Sequence, residues 1–348
     1  MNLTHKNNAR TFLFLDSIRG MCALVVMIAH ASEKLKGIKT NGILRQHDNF
    51  FNSFISFLRY FSHGFAVNVF FILSSFLLTY RLLNDYSRIT PPMSIQKLSL
   101  CAVKFIIRRF FRVYMPFFVF ATAVTLSPKY AGGEWPYESW LKMVTLDNVG
   151  FNQLWTISPE IKYYFFIPVI CLPSIWPKFN KSCLIMITIL TLINIVNMRT
   201  NIFDVKYGDD LENQRLWSDN NENFKFCFQY FLNGSLMAFS LFYLENYCRC
   251  YSLLVDILNY KGFLVNIVSF LLVVAGVYFD DKKCVVNYCR ENLWFKSHYP
   301  IANLVWSLHI FLLIISNEKS YLRNVLEQSF FLKETGKLSF GKYKIFQD

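Results

Sequence analysis

The chain has 348 residues, of which 54% are hydrophobic and 17% are charged, and its formal net charge at pH 7 is +13. This composition excludes an intrinsically disordered chain and argues against an ordinary soluble enzyme, in which about 25% of residues are charged. The charge alone would suit a nucleic-acid-binding protein, but the mean hydropathy of +0.29 does not. A basic membrane protein fits better, because Lys and Arg collect in cytoplasmic loops.

Eight apolar segments approach the length of a membrane span, for which about 20 mostly apolar residues are needed. In chain order they are Phe12–Ala31, Gly64–Leu83, Tyr114–Leu126, Ile161–Trp176, Cys183–Met198, Phe226–Leu244, Gly262–Phe279 and Ile301–Ser316, and a further apolar stretch begins near Leu338. No Pro-, Gly- or Ser-rich linker and no repeat divides the chain. The sequence therefore predicts an all-α, polytopic membrane helix bundle of eight to nine spans, folded as a single domain over residues 1–348.

The orientation in the membrane follows from where the basic residues cluster. Lys and Arg are almost equally numerous on the two sides of the predicted spans. The densest cluster, from Lys104 to Arg112, falls on the same side as the N-terminus, and the acidic segment 204–222 falls on the other. We therefore predict a cytoplasmic N-terminus.

The first predicted span contains Asp16, Arg19 and His30, and charged residues inside a span are costly and often functional. On a straight helix, Arg19 and His30 point to nearly the same side about 16 Å apart along the axis. Such a pair suits a long ligand, with a cation for its anionic part and an imidazole as general base at its reacting end. The structural alternatives are a snorkelling Arg19 and a His30 at the opposite membrane interface.

A second polar feature is the basic and aromatic stretch 104–116, which contains Arg108, Arg109 and Arg112. Guanidinium groups bind phosphates as planar donors, so this stretch is a candidate phosphate site. The alternative is attraction to anionic lipid at the cytoplasmic surface.

The fourth span opens with Ser158-Pro159-Glu160. We expect Ser158 to cap the helix, Pro159 to occupy its first position, and Glu160 to interact favourably with the helix dipole. Alternatively, Glu160 orients an imidazole or a substrate hydroxyl.

No other chemistry stands out. The sequence has no nucleophile elbow, P-loop or HExxH motif, and its nine cysteines do not follow the spacing of a metal site, so no metal is expected. Cys284 and Cys289 either form a disulfide or remain unpaired thiols. His309, in an apolar helix, is interpreted as a packed histidine.

Four segments, in order along the chain, resemble motifs of the acyltransferase-3 family of integral-membrane O-acyltransferases. The Arg19–His30 spacing is similar to the Arg and His of that family's first helix. The other matches are 68–78 to FF-x-L-S-G-F-L, 108–116 to R-R-x-x-R-I-Y-P and 154–164 to L-W-T-L-S-V-E-x-Q-F-Y, with a weaker match at 231–238.

This resemblance implies roles for the matching residues. His30, Arg19 and Glu160 would be catalytic, with His30 acting as general base on the acceptor hydroxyl or carrying the acyl group briefly. Arg108, Arg109 and Arg112 would bind the phosphates of an acyl-CoA, most often acetyl-CoA, arriving from the cytoplasm. The acceptor would be a hydroxyl of a carbohydrate, a lipid or a small molecule. Residues 336–343 look like the start of the family's final helix, from which the chain diverges at Lys344, so we expect that helix to be truncated.

Other departures from the family's pattern are Ser75 in place of a glycine, Pro159 in place of a valine and Lys162 in place of a glutamine. Ser75 is expected to crowd a close helix contact. These departures leave a catalytically inactive or truncated relative as one alternative. A membrane transporter is another, because intramembrane Arg, His and Glu also mark translocation paths, although the sequence shows no inverted repeat.

Overall fold

A computed structural model describes residues 12–37, 66–89, 94–126, 137–146, 156–172, 179–204, 220–248, 251–260, 262–281, 293–316 and 320–339. Within these ranges the chain forms twelve α-helices and no strand, which confirms the all-α prediction. They are α1 (Leu13–Gly37), α2 (Val67–Ser87), α3 (Ile95–Leu126), α4 (Tyr137–Val144), α5 (Ile157–Cys171), α6 (Phe179–Asp204), α7 (Asn220–Tyr247), α8 (Tyr251–Tyr260), α9 (Gly262–Asp281), α10 (Leu293–Ile315), α11 (Tyr321–Gln328) and α12 (Phe330–Ser339). The Cys284–Cys289 pair lies outside the described residues.

Fewer of the described helices are long and apolar enough to span a membrane than the sequence predicts. Of the described helices, α2 alone is long and apolar enough to cross a bilayer by itself. The pair Tyr251–Leu258 and Gly262–Ala275, bent by 86°, meets the same criterion when its two helices are taken together. The predicted number of eight to nine spans therefore stays a prediction, as does the orientation of the N-terminus.

The surface of α6 follows the pattern of a helix that faces lipid on one side. Its buried residues recur every three or four positions, as Cys183, Met186, Leu190 and Asn194. Its exposed large apolar residues are Leu184, Ile185, Ile189, Leu192, Ile193, Ile195 and Val196. A continuous apolar face of this kind is unusual in water and typical of contact with lipid.

The start of α5 differs from the prediction. The helix begins at Ile157, its N-cap is Thr156, and the Thr156 side chain makes no capping hydrogen bond. The prediction that Ser158 is the cap is therefore wrong. Ser158 is already inside the helix, where it is fully buried and its hydroxyl donates to the carbonyl of Leu146 at 3.3 Å. The prediction that Pro159 occupies the first helical position is wrong as well, because Pro159 is the third residue of the helix. It lies in the first turn, where a missing N–H leaves no helical hydrogen bond unmade.

The described residues divide into two compact units. The first comprises residues 1–70, 253–274 and 308–348, and the second comprises residues 71–252 and 275–307. In the first unit, α1 packs against α11 and α12. In the second, α3 packs against α4 and α5, and α7 packs against α5 and α6.

In the first unit, helices α1 and α12 cross at two glycines, Gly20 and Gly336. A Cβ atom added at Gly20 would lie 2.0 Å from the carbonyl oxygen of Leu332, and one at Gly336 would lie 1.7 Å from that of Asp16. Neither position tolerates a side chain, so α1 and α12 approach with backbone against backbone. In the sequence, Gly336 stands out only as part of a motif.

In the second unit, Ser75 faces a glycine. A Cβ atom at Gly234 would lie 1.9 Å from the Ser75 hydroxyl oxygen and 2.2 Å from the carbonyl oxygen of Ile72. The Ser75 hydroxyl donates to that same carbonyl at 3.1 Å. The contact is close, as expected, and the missing side chain of Gly234 is what makes room for Ser75.

Candidate active site

Arg19 lies in the second turn of α1 with only 2% of its surface exposed. Its Nη1 atom donates to Oδ1 of Asp16 at 3.4 Å, a pair three residues apart on the same helix. A snorkelling arginine would extend its guanidinium into solvent, so this burial does not fit the snorkelling alternative. A buried cation beside a nearby carboxylate is instead a candidate for binding an anionic group, because burial strengthens its field.

His30 lies in the same helix as Arg19. Because α1 is continuous from Leu13 to Gly37, the two positions are joined by unbroken helix, as the predicted spacing requires. The side chain of His30 is outside the described residues, so its role stays a prediction.

Glu160 lies in the first turn of α5, where its carboxylate is held from within the helix. The hydroxyl of Tyr164 donates to Oε1 of Glu160 at 2.5 Å, and Tyr164 itself is only 2% exposed. A carboxylate that accepts such a short, partly buried hydrogen bond has a fixed direction. In the sequence, Tyr164 stands out only within a motif, although its spacing of four residues from Glu160 places both on one helix face.

The three arginines of α3 differ in exposure. Arg108 is exposed, whereas Arg109 and Arg112 are partly buried. Burial lowers the pKa of the Arg112 guanidinium, the neighbouring Tyr164 phenol raises it, and the like charge of Arg81 lowers it. An arginine stays protonated under all these influences. Arg112 is therefore a permanent cation in the electrostatic neighbourhood of Tyr164, the partner of Glu160.

The second unit contains part of the predicted set. Arg112 lies on α3 and the Tyr164–Glu160 pair lies on α5, two helices that pack against each other. Arg81, whose charge influences Arg112, was not predicted as a site residue. In the sequence, only its position in a basic stretch could have pointed to it. Arg19 and His30 belong to the first unit. The surroundings of these two residues are therefore described separately from those of Arg112, Tyr164 and Glu160.

A buried hydroxyl network fixes α5 in the second unit. The Ser235 hydroxyl lies 2.8 Å from that of Thr79 on α2 and 2.6 Å from that of Tyr163 on α5. The Tyr163 hydroxyl also donates to the carbonyl of Phe231 at 3.1 Å, and the Tyr163 and Phe231 rings stack at 4.4 Å. Tyr163 therefore sets the rotation of α5, on which the direction of Glu160 depends.

The same unit contains a second polar contact that the sequence does not predict. The amide of Asn194 on α6 donates to the side-chain oxygen of Asn233 on α7, and both residues are buried. Amides that bond across helices at this depth hold membrane helices together. We interpret this contact as structural.

No group of three or more His, Cys, Asp or Glu residues is placed to hold a metal ion in the part of the chain that the structure describes. The first unit offers a buried cation paired with a carboxylate, Arg19 with Asp16, on a helix that contains a histidine. The second offers the arginines of α3 and the Glu160 carboxylate. These groups are suited to binding an anionic ligand and to moving a proton.

Comparison with known proteins places the chain in relation to a described family. The sequence model of a family described as an acyltransferase domain, Acyl_transf_3, matches residues 12–345. No curated protein and no solved structure matches the chain.

Proposed function

The chain belongs to the acyltransferase-3 family, and from this we infer that it is a membrane acyltransferase that moves an acyl group from acyl-CoA to a hydroxyl acceptor. The observation behind this proposal is the family match over residues 12–345, which includes every predicted site residue. Acetyl-CoA is the expected donor. The acceptor is a hydroxyl of a carbohydrate, a lipid or a small molecule.

The proposed reaction is an attack of the acceptor hydroxyl on the thioester carbonyl carbon. A C–O bond forms, the C–S bond breaks, and coenzyme A leaves as its thiolate. His30 takes the proton of the hydroxyl as general base and returns it to the thiolate. An imidazole is suited to both steps, since its reference pKa of about 6.5 lies near neutral pH.

The donor is an anion, and the cations of the chain are the groups proposed to bind it. We assign Arg108, Arg109 and Arg112 to the phosphates of coenzyme A, because a guanidinium group can form bidentate hydrogen bonds with phosphate oxygens. Arg19 is assigned to an anionic part of the donor, a role that its burial beside Asp16 supports. Glu160, held by Tyr164, is assigned to positioning reacting groups.

The test of donor recognition is acetyl-CoA binding by the detergent-purified chain. We expect the wild type to bind and the Arg19→Ala variant to bind at least tenfold more weakly, a loss of about 1.4 kcal/mol or more. Arg88→Ala, which removes an exposed arginine just after α2, is the matched control and should bind as the wild type does. No binding by well-folded wild type would contradict the proposed donor.

A further inference from the structure

The first two turns of α1 are held by the C-terminal helices α11 and α12. Phe14 and Ser17 are three residues apart and form one stripe, which faces α11. The Ser17 hydroxyl donates to the carbonyl of Leu326 at 2.6 Å, and the Arg323 guanidinium lies over the Phe14 ring at 4.8 Å from its centroid. Asp16 and Gly20 are four residues apart and form a second stripe, which meets α12 at Gly336.

The two stripes constrain the rotation of α1 about its axis. At 100° per residue they are about 110° apart around the helix, so a turn in either direction breaks at least one of them. Arg19 lies between Ser17 and Gly20 in sequence, and its Asp16 partner provides the carbonyl that Gly336 approaches. A rotation of 10° would move a side chain at a radius of about 6 Å by about 1 Å, and a misplacement of 1 Å can lower a reaction rate about 100-fold.

Arg323 is an unusual residue for a contact that only stabilises. It is 6% exposed, its Nε atom donates to Glu327 at 2.9 Å, and its Nη1 atom has no hydrogen-bond partner among the described residues. Replacing a buried ion pair by apolar side chains is often neutral or stabilising. A buried arginine that stacks on Phe14 is better explained by the orientation that its planar group imposes.

We propose that Arg323 is a positioning residue, which holds α1 through Phe14 and thereby sets the direction of Arg19 for donor binding. This rests on the proposed function, since it assumes that Arg19 binds the donor. Arg323 does not touch the donor in this scheme. Arg323 affects donor binding only through α1. Replacing Arg323 should therefore no longer weaken donor binding once Arg19 has lost its contact with the donor.

The test is a double-mutant cycle on the Kd for acetyl-CoA in the detergent-purified full chain. Arg323→Met leaves the partly buried Glu327 carboxylate without its partner, so it should lower the melting temperature by several degrees. It should weaken binding by the folded protein about tenfold. In an Arg19→Lys background, the same change should weaken binding less than threefold. Arg323→Lys, which keeps a cation but loses the planar group that covers Phe14 and pairs with Glu327 at the same time, should give an intermediate Kd.

Lys337→Met is the control, because it removes a cation of the same C-terminal segment from a surface pair with Glu334. It should bind as the wild type does. A purely structural Arg323 would weaken binding equally in both backgrounds, and that result, or no weakening, would overturn the proposal while leaving the proposed function intact.

Two other outcomes also decide the question. If Arg323→Met does not fold, Ser17→Ala removes the neighbouring contact from the α1 side, and it must weaken binding only where Arg19 is intact. If folded wild type does not bind acetyl-CoA, the proposed function fails, and the positioning role falls with it.

Discussion

At the scale of single residues, the contact between Tyr164 and Glu160 gives the most direct prediction in the second unit. Tyr164→Phe removes the hydroxyl that donates to the Glu160 carboxylate at 2.5 Å and leaves the ring in place. Hydrogen bonds to charged groups contribute about 1.5–3 kcal/mol, so we expect kcat to fall about 10- to 100-fold. The measurement is acetyl transfer per folded molecule at saturating donor.

The control for this change is Tyr137→Phe, which removes a tyrosine hydroxyl from a ring that is 69% exposed. It should leave kcat unchanged. If Tyr164→Phe retains the wild-type kcat, Glu160 does not depend on its partner, and its assigned role loses its structural basis.

A second prediction concerns Gly234, where helices α2 and α7 meet. Gly234→Ala places a methyl group 1.9 Å from the Ser75 hydroxyl oxygen and 2.2 Å from the carbonyl of Ile72. Overpacking of this kind costs about 1–3 kcal/mol, so the melting temperature in detergent should fall by several degrees. Adding Ser75→Gly should restore only part of it, because the Ile72 carbonyl stays in the way.

Ser75→Gly alone is the matched control, since it empties the other side of the same contact. It should change stability by less than the Gly234 substitution does. A Gly234→Ala protein as stable as the wild type would show that the two helices are farther apart than the structure places them.

At the scale of helices, the hydroxyl network determines how α5 is held. Ser235 bonds to both Thr79 and Tyr163, so Ser235→Ala removes two bonds. It leaves the buried Thr79 hydroxyl without this partner, whereas the Tyr163 hydroxyl keeps its bond to the Phe231 carbonyl. Each unsatisfied buried group costs about 1–3 kcal/mol. Thr79→Val removes only one bond and should lower the melting temperature less.

Ser99→Ala serves as the comparison for the network, because the Ser99 hydroxyl is exposed and bonds only to its own helix. Its melting temperature should equal that of the wild type. Equal effects of the Ser235 and Ser99 substitutions would show that the network does not contribute to stability.

The helices of this chain could be predicted from the sequence, whereas the contacts between distant helices could not. Helical segments follow from apolar runs and from residues recurring every three or four positions, and the all-α prediction rests on such local patterns. The Ser158 cap was misplaced because a helix boundary depends on one or two residues. The pairing of Gly20 with Gly336, and of Phe14 with Arg323, joins segments at opposite ends of the chain, and no local pattern contains that information.

Some residues of the candidate site could likewise be predicted from the sequence, and others could not. Arg19, Glu160 and Arg112 stand out in the sequence because their charges lie inside or beside apolar runs. Tyr164 and Arg323 do not, since a tyrosine in an aromatic-rich helix and an arginine near the C-terminus have no unusual local context. Only their partners, the Glu160 carboxylate and the Phe14 ring, reveal them.

For the whole molecule, the exposed apolar face of α6 predicts contact with lipid. Ile193 lies on this face and is 42% exposed. Ile193 lies in the predicted span Cys183–Met198, and an arginine at the centre of a spanning helix costs about 2.5–3.5 kcal/mol on insertion scales. Ile193→Arg should therefore lower the amount of protein recovered in the membrane fraction after alkaline extraction. Gln96→Arg, an exposed position near the start of α3, should not.

A soluble fold would give the opposite pattern. If α6 faced water, Ile193→Arg would be tolerated and would improve solubility. Unchanged recovery of this variant in the membrane fraction would contradict the lipid-facing assignment of α6.

The proposed activity of the chain is acyl transfer with His30 as the general base, and it is tested by transfer of labelled acetyl from acetyl-CoA to hydroxyl acceptors by purified protein. The wild type should transfer label, and His30→Ala should lose about 10²–10⁴-fold in rate while accumulating normally and still binding acetyl-CoA. Equal rates for the variant and the wild type would show that His30 is not the base.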